Sequence, residues 1–390
     1  MIPWQRWLLM IFAVMSALGA ADFLAGDRRG LGRKFLEGLQ TFAPLFLTMA
    51  GFLVLTPLLA KVLTPLVTPL FSAVGADPGL FAGIFLANDN GAYALAAQLS
   101  PHPEGACFGG MLLGSLLGAN VVCMPLILQL MAKEDYRFYF SGLMFGMMTM
   151  PLALVAGALA AGCRWQYILH QLPVLLALAG GAALLLWLCP ERLVRALTAL
   201  VRLMQIVSLS GASLAIFAEL SGIAIPGLAP IGEALRIIGT IVIVLPGVYV
   251  LTEVLNRVLR RPLAAAGRRI GVNEAAMGGF LASLANAIPT MTRLREMDPR
   301  GKMLNCAFLF SGAFVLGDHL AFCGAVAPEL IGPLFVTKFT GGITAALLAW
   351  QCYPTSFHEK RSRQEKRSLC RVRPSPMGYL RHLLLGNPKK

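Results

Sequence analysis

Asp89 sits between Asn88 and Asn90 in the middle of Phe81–Leu99, FAGIFLANDNGAYALAAQL, a run otherwise apolar enough to enter a membrane. A carboxylate at the bilayer centre costs ~2.5–3.5 kcal/mol on insertion scales, so it is rarely found there without a partner or a pathway. Such a group can hold a cation or carry a proton. It can equally be a buried carboxylate satisfied by backbone N–H groups freed at a helix break. Asn88, Asn90 and, in a second broken run, Asn286 both donate and accept hydrogen bonds. That suits a small solute bearing a hydroxyl and an ammonium, and it also suits the capping of half-helices, which is the reading for Asn88. The second run is Met277–Leu294, MGGFLASLANAIPTMTRL. Gly91 and Pro289 supply the helix breaks in the two runs.

A further anion, Asp318, stands beside His319 in FVLGDHLAF. On a helix the two side chains point about 100° apart, so both do not face one ligand equally. His319 titrates near physiological pH if it is accessible, and is a hydrogen-bonded core residue if it is not. Asp22 and Glu219 close two other apolar segments, near where headgroup solvation is available. Glu219 is kept among the candidate substrate-binding residues with Asp89, Asn90, Asn286, Asp318 and His319. The eight cysteines are scattered without a CxxC pair or metal-ligand spacing, so neither a metal site nor a disulfide framework is expected. H-E-x-x-H, G-x-S-x-G and Walker A patterns are absent, and no cofactor is expected. An intramembrane aspartyl protease would need glycine where Val315 precedes Leu316-Gly317-Asp318.

These residues need elements that hold polar groups at membrane depth. Of the 390 residues 57% are hydrophobic and 13% charged, about half the charge of a soluble domain. Besides the two broken runs, apolar segments lie at Trp7–Gly26, Thr41–Ala60, Gly105–Met131, Phe138–Cys163, Ile168–Cys189, Met204–Gly222, Leu235–Val258, Met303–Ala325 and Glu329–Tyr353. Each nears or exceeds the ~20 residues that cross a bilayer, and without water to satisfy an open backbone each must be helical. The fold class is therefore an all-α integral membrane protein.

Shifting the chain by 196 positions (311 less 115) pairs Ser115 with Ser311, Asn90 with Asn286, Gly83 with Gly279, and Val54-Leu55-Thr56 with Val250-Leu251-Thr252. The expected organisation is a first membrane repeat over 1–163, a linking segment over 164–201, a second repeat over 202–353, and a basic tail over 354–390. Broken segments at matching positions of two halves point to a carrier's binding site. The connections flanking the first broken run, Val62–Pro78 and Ser100–Glu104, contain no Lys or Arg, whereas Arg257, Arg260, Arg261, Arg268 and Arg269 precede the second run and Arg295, Arg300 and Lys302 come after it. By the positive-inside rule the runs are then re-entrant hairpins entering from opposite faces. This makes nine full crossings and two inverted repeats. Eleven spans in parallel repeats is the alternative, and it leaves the five-arginine stretch outside.

The formal charge of +14 does not imply nucleic acid as a partner. Ten Lys/Arg against two Glu in His358–Lys390 put +8 of it in the tail, which reads as a cytosolic signal that can touch anionic lipid.

The run Leu284–Phe322, LANAIPTMTRLREMDPRGKMLNCAFLFSGAFVLGDHLAF, closely resembles the ethanolamine-utilisation transporter family (EutH type) in its LAN-x-IP, MD-x-RGK, NCAF and LGDH elements. Phe81-Ala82-Gly83 through Asp89-x-Gly91, and Glu37-Gly38, extend the likeness over nearly the whole membrane region. Asn286-Ala287 stands where the family tends to have Asn-Asn, and the Asn-Asp-Asn triplet is more polar than its counterpart. The resemblance implies uptake of ethanolamine, a small cationic amino alcohol, across a bacterial inner membrane with the C-terminus cytosolic. A carrier of another small polar solute, an intramembrane hydrolase and a membrane scaffold are the other classes, and a homo-oligomer is compatible with each.

Overall fold

Asp22 shows how the elements are joined. Its carboxylate accepts hydrogen bonds from the backbone of Arg29 (3.0 Å), Leu31 (2.9 Å) and Gly32 (3.1 Å), capping the start of one helix from the end of another. This accounts for an acid at the end of an apolar segment without a ligand. The computed structural model describes residues 3–353, so the tail over 354–390 lies outside the described residues. Among the described residues there is no strand, and eight helices are long and apolar enough to cross a membrane.

The helices joined at Asp22 are α1 (Pro3–Leu24) and α2 (Leu31–Ala73), the latter widened by a π-helical stretch over Phe46–Ala50. The first broken run is a hairpin of two short helices, α3 (Gly79–Phe85) and α4 (Tyr93–Leu99), around a tip at Leu86–Ala92. Its two ends meet. The Ser100 hydroxyl donates to the Asp77 carboxylate (2.6 Å), which also accepts the Gly79 N–H (2.7 Å) and the Tyr167 hydroxyl (2.9 Å). Next in the chain come α5 (Ala106–Leu130), the most buried of the long apolar helices, α6 (Tyr136–Ala160), α7 (Trp165–Leu188), α8 (Pro190–Ser221) and α9 (Ile231–Ile270).

The second broken run is a hairpin too: α10 (Glu274–Ala285) and α11 (Ala287–Thr292), hinged at Asn286. The Thr290 hydroxyl donates across it to the Gly279 carbonyl (2.9 Å), and the Asn273 amide donates to the Glu296 carbonyl (2.9 Å), so these ends meet as well. The chain closes with α12 (Pro299–Gly312), α13 (Asp318–Val326) and α14 (Ile331–Cys352). Long helix, hairpin, then helices packed on the hairpin is thus an order that occurs twice.

One expectation is corrected. Met303–Ala325 reads as a continuous span, but it is two half-helices separated by an irregular stretch at Ala313–Gly317, with Phe314 in the left-handed region (φ 61°). Its backbone is satisfied by the hairpin beside it: Phe314 N–H donates to the Ser283 carbonyl (3.0 Å) and Leu316 N–H to the Leu284 carbonyl (2.8 Å). A helix can open at membrane depth when neighbouring backbone takes over its hydrogen bonds in this way.

The core lies where α6, α12 and α14 pack together. Small residues allow the approach, as in membrane bundles generally. A Cβ at Gly142 would strike Cys306, at Gly146 the Phe310 ring, and at Gly157 the Thr337 hydroxyl.

Candidate functional site

Asp89 is carried on the tip of the first hairpin. The chain runs extended through Leu86 and Ala87, turns at Asn88, and reverses through Gly91 in the left-handed region (φ 98°), where glycine meets no steric cost. Asn88 and Asp89 are thereby buried, and Asn90 is half-buried. The Asn88 amide donates to the Met111 sulfur (3.5 Å), while Asn88 Oδ1 and one Asp89 carboxylate oxygen are buried without a hydrogen-bond partner.

Asp318 begins α13 immediately after the Ala313–Gly317 break, and α13 packs against the tip that carries Asp89. The two aspartates lie within electrostatic reach of one another. Tyr93 of α4 meets Phe322 of α13 edge to face at 6.4 Å, holding the two elements together. Asp318 is half-buried, with one carboxylate oxygen enclosed and unpartnered, and His319 is buried with Nδ1 unpartnered, its ring 5.2 Å from that of Phe314. Four orphaned polar atoms on two touching elements are exceptional, since buried polar groups are nearly always paired. They make a site that can receive hydrogen-bond donors and positive charge.

Sequence reasoning missed Lys338. It is 1% exposed in the middle of α14, and its ammonium donates to the carbonyls of Ser115 (3.0 Å), Ser311 (3.1 Å) and Ala313 (2.7 Å). Both Asp89 and Asp318 are within electrostatic reach of it. The signal was available: a single lysine inside an apolar span is costly and rarely idle.

Asn286 belongs to a neighbouring feature. It hinges the second hairpin, and its side chain accepts the Ile288 N–H (2.8 Å), capping α11. Pro289 is then the third residue of α11, where a missing N–H does no harm, so the break is made at Asn286 and Pro289 belongs to the first turn of the new helix. Asn286 lines a cavity of 390 Å³ whose walls include Lys34, Glu37, Tyr249, Glu253 and Arg293. Tyr249 faces the Asn286 amide and also lies within electrostatic reach of Asp318, so it is shared by the cavity and the carboxylate cluster. Glu219 is exposed two residues before the end of α8 and is not among the residues lining this cavity.

A family model described as "Ethanolamine utilisation protein, EutH" matches residues 5–352. The probable ethanolamine permease EutH of Listeria monocytogenes serotype 1/2a (strain 10403S) is 40% identical over 341 residues, 87% of this chain and 91% of that protein. The uncharacterized protein YxeR of Bacillus subtilis (strain 168) is 34% identical over 362 residues, 92% of this chain and 97% of its own. The probable ethanolamine permease EutH of Salmonella typhimurium is 34% identical over 386 aligned residues, 89% of this chain and 94% of that protein. No solved structure matches.

Proposed function

Because the chain belongs to the EutH family of ethanolamine-utilisation proteins, we propose that it carries ethanolamine across the bacterial inner membrane, by alternating access or facilitated diffusion. The observation that carries this reading is the pair of carboxylates Asp89 and Asp318, each with a buried, unpartnered oxygen on one of two touching broken elements. Protonated ethanolamine brings one ammonium and one hydroxyl. Carboxylates take the first through charge-assisted hydrogen bonds, and amides such as those of Asn90 and Asn286 take the second. Glu219 stays outside this reading because it is exposed at a helix end.

The cavity beside Asn286 supplies the approach from the side of Lys34, Glu253 and Arg293. That side also carries the basic connections that the positive-inside rule assigns to the cytosol. Hairpins whose ends meet at Asp77–Ser100 and at Asn273–Glu296 fit re-entrant segments, and the charge of their flanking connections fits entry from opposite faces. The twofold recurrence of elements 196 residues apart fits inverted repeats, with the C-terminus cytosolic. In this reading the cavity opens toward the cytosol, and closing it around Tyr249 exchanges access to the carboxylates.

The test is uptake of labelled ethanolamine into vesicles reconstituted with the purified chain. Asp89→Asn keeps the shape and removes the charge, and losing a charged partner should lower uptake about tenfold or more. Unchanged uptake by this variant at low external pH would sink the role given to Asp89. A panel of competing amines and amino alcohols then distinguishes ethanolamine from another small polar solute.

A further inference from the structure

Lys338 is held in an unusual way for a buried lysine. Its three hydrogen bonds all go to main-chain carbonyls, and none of the ion pairs among the described residues involves it. Two of those carbonyls, Ser115 and Ser311, are related by the 196-residue spacing (311 less 115) at which the elements recur. The third, Ala313, lies just past α12, where the last carbonyls of a helix have no partner of their own. The ammonium is therefore shared by corresponding points of the two halves. Position 142, which corresponds to Lys338 in the first half, is a glycine, so there is one ammonium for the pair. Carbonyls freed where membrane helices break are the ligands with which carriers hold alkali cations.

We propose that this carbonyl cage is a monovalent-cation site which the chain fills with its own lysine, so that Lys338 replaces a coupling ion and uptake needs neither Na⁺ nor K⁺. Counted at full ionisation, Asp89, Asp318 and Lys338 leave one net negative charge, the complement of one monocationic solute. A diffusible ion would give the same count but would leave and rebind in each cycle; a tethered ammonium stays. Room for an ion exists once the side chain is shortened. A cavity of 10 Å³, about one water's worth of probe volume, already lies against Lys338, Ser115 and Ala313. The uptake arm of the test rests on the transport reading above, and the binding arm does not.

The binding arm compares melting of the purified full-length chain in sodium, potassium and tetraethylammonium chloride, the last a cation without a hydroxyl and too large for the cage. The wild type should melt alike in all three. Lys338→Ala should melt lower in tetraethylammonium and rise by about 3 °C or more in sodium or potassium, as ligand linkage does for chains of roughly this size. Lys338→Met, which keeps the space filled, should not be rescued. The proposal is overturned if Lys338→Ala is indifferent to the salt, if Lys338→Met or the wild type responds as it does, or if neither variant can be recovered in any salt. In vesicles, wild-type ethanolamine uptake should be equal in the three salts, and a requirement for sodium or potassium also overturns it. Absence of wild-type uptake in every salt counts against the transport reading alone, and the melting comparison then decides the cage.

Discussion

Asn286 illustrates how one side chain joins structure to site. Its oxygen caps α11 through Ile288 N–H, while the same amide faces Tyr249 at the cavity. Replacing an asparagine cap by alanine costs about 1 kcal/mol, so Asn286→Ala should lower the melting temperature and uptake together. Asn286→Asp retains the cap acceptor, and should keep the stability while changing uptake. A different sign appears at Glu104, outside the spans, where the Arg164 guanidinium (2.5 and 3.1 Å) holds the carboxyl below its ordinary value. A depressed carboxyl contributes stability above its unfolded value, and loses it as pH falls through the folded one. Glu104→Gln should therefore melt slightly below the wild type at neutral pH, and the difference should vanish in acid and shrink in high salt, because Arg164 is mostly exposed.

Among the elements, the first hairpin depends on glycine where backbones nearly touch. A Cβ at Gly83 would overlap the Gly109 carbonyl, and one at Gly118 the Leu86 carbonyl beside the tip. Gly83→Val and Gly118→Val should each cost about 1–3 kcal/mol or more through overpacking, read as lower melting and poor recovery. Gly180→Val on α7, where nothing lies within 4 Å, serves as the tolerated control. The same scale separates what the chain announces from what it hides. Asn88–Gly91 and Asn286–Pro289 are polar or helix-weakening inside apolar runs, so both hairpin tips are legible. The break at Ala313–Gly317 is not, because AFVLG carries no polar residue and opens only where Ser283 and Leu284 offer carbonyls to Phe314 and Leu316.

For the molecule as a whole, the proposed re-entrant and opposed entry of both hairpins predicts which face each one's flank is reached from. Exposed His102 lies just after the first hairpin and exposed Arg293 just after α11 of the second. On a background without accessible cysteines, His102→Cys should react with an impermeant maleimide in right-side-out vesicles, and Arg293→Cys only in inside-out ones. Labelling of both from one side would refute opposed entry. The cavity should likewise respond to Tyr249→Phe, which removes the hydroxyl that faces the Asn286 amide, with uptake reduced and folding intact.

Composition, the two polar interruptions and the spacing of 196 residues determined that this chain is a helical membrane protein with two broken runs and an acid at the centre of the first. Those features are local, and each is written in residues whose cost in an apolar surrounding has to be met somewhere. Which groups meet was decided only by the fold. It brought Asp318 within electrostatic reach of Asp89 across 229 positions (318 less 89), left Asn286 on an adjoining cavity, left Glu219 exposed, and set Lys338 among three carbonyls from two separate stretches. A carbonyl is the same in every residue, so a cage built from main-chain oxygen leaves no mark in the order of side chains.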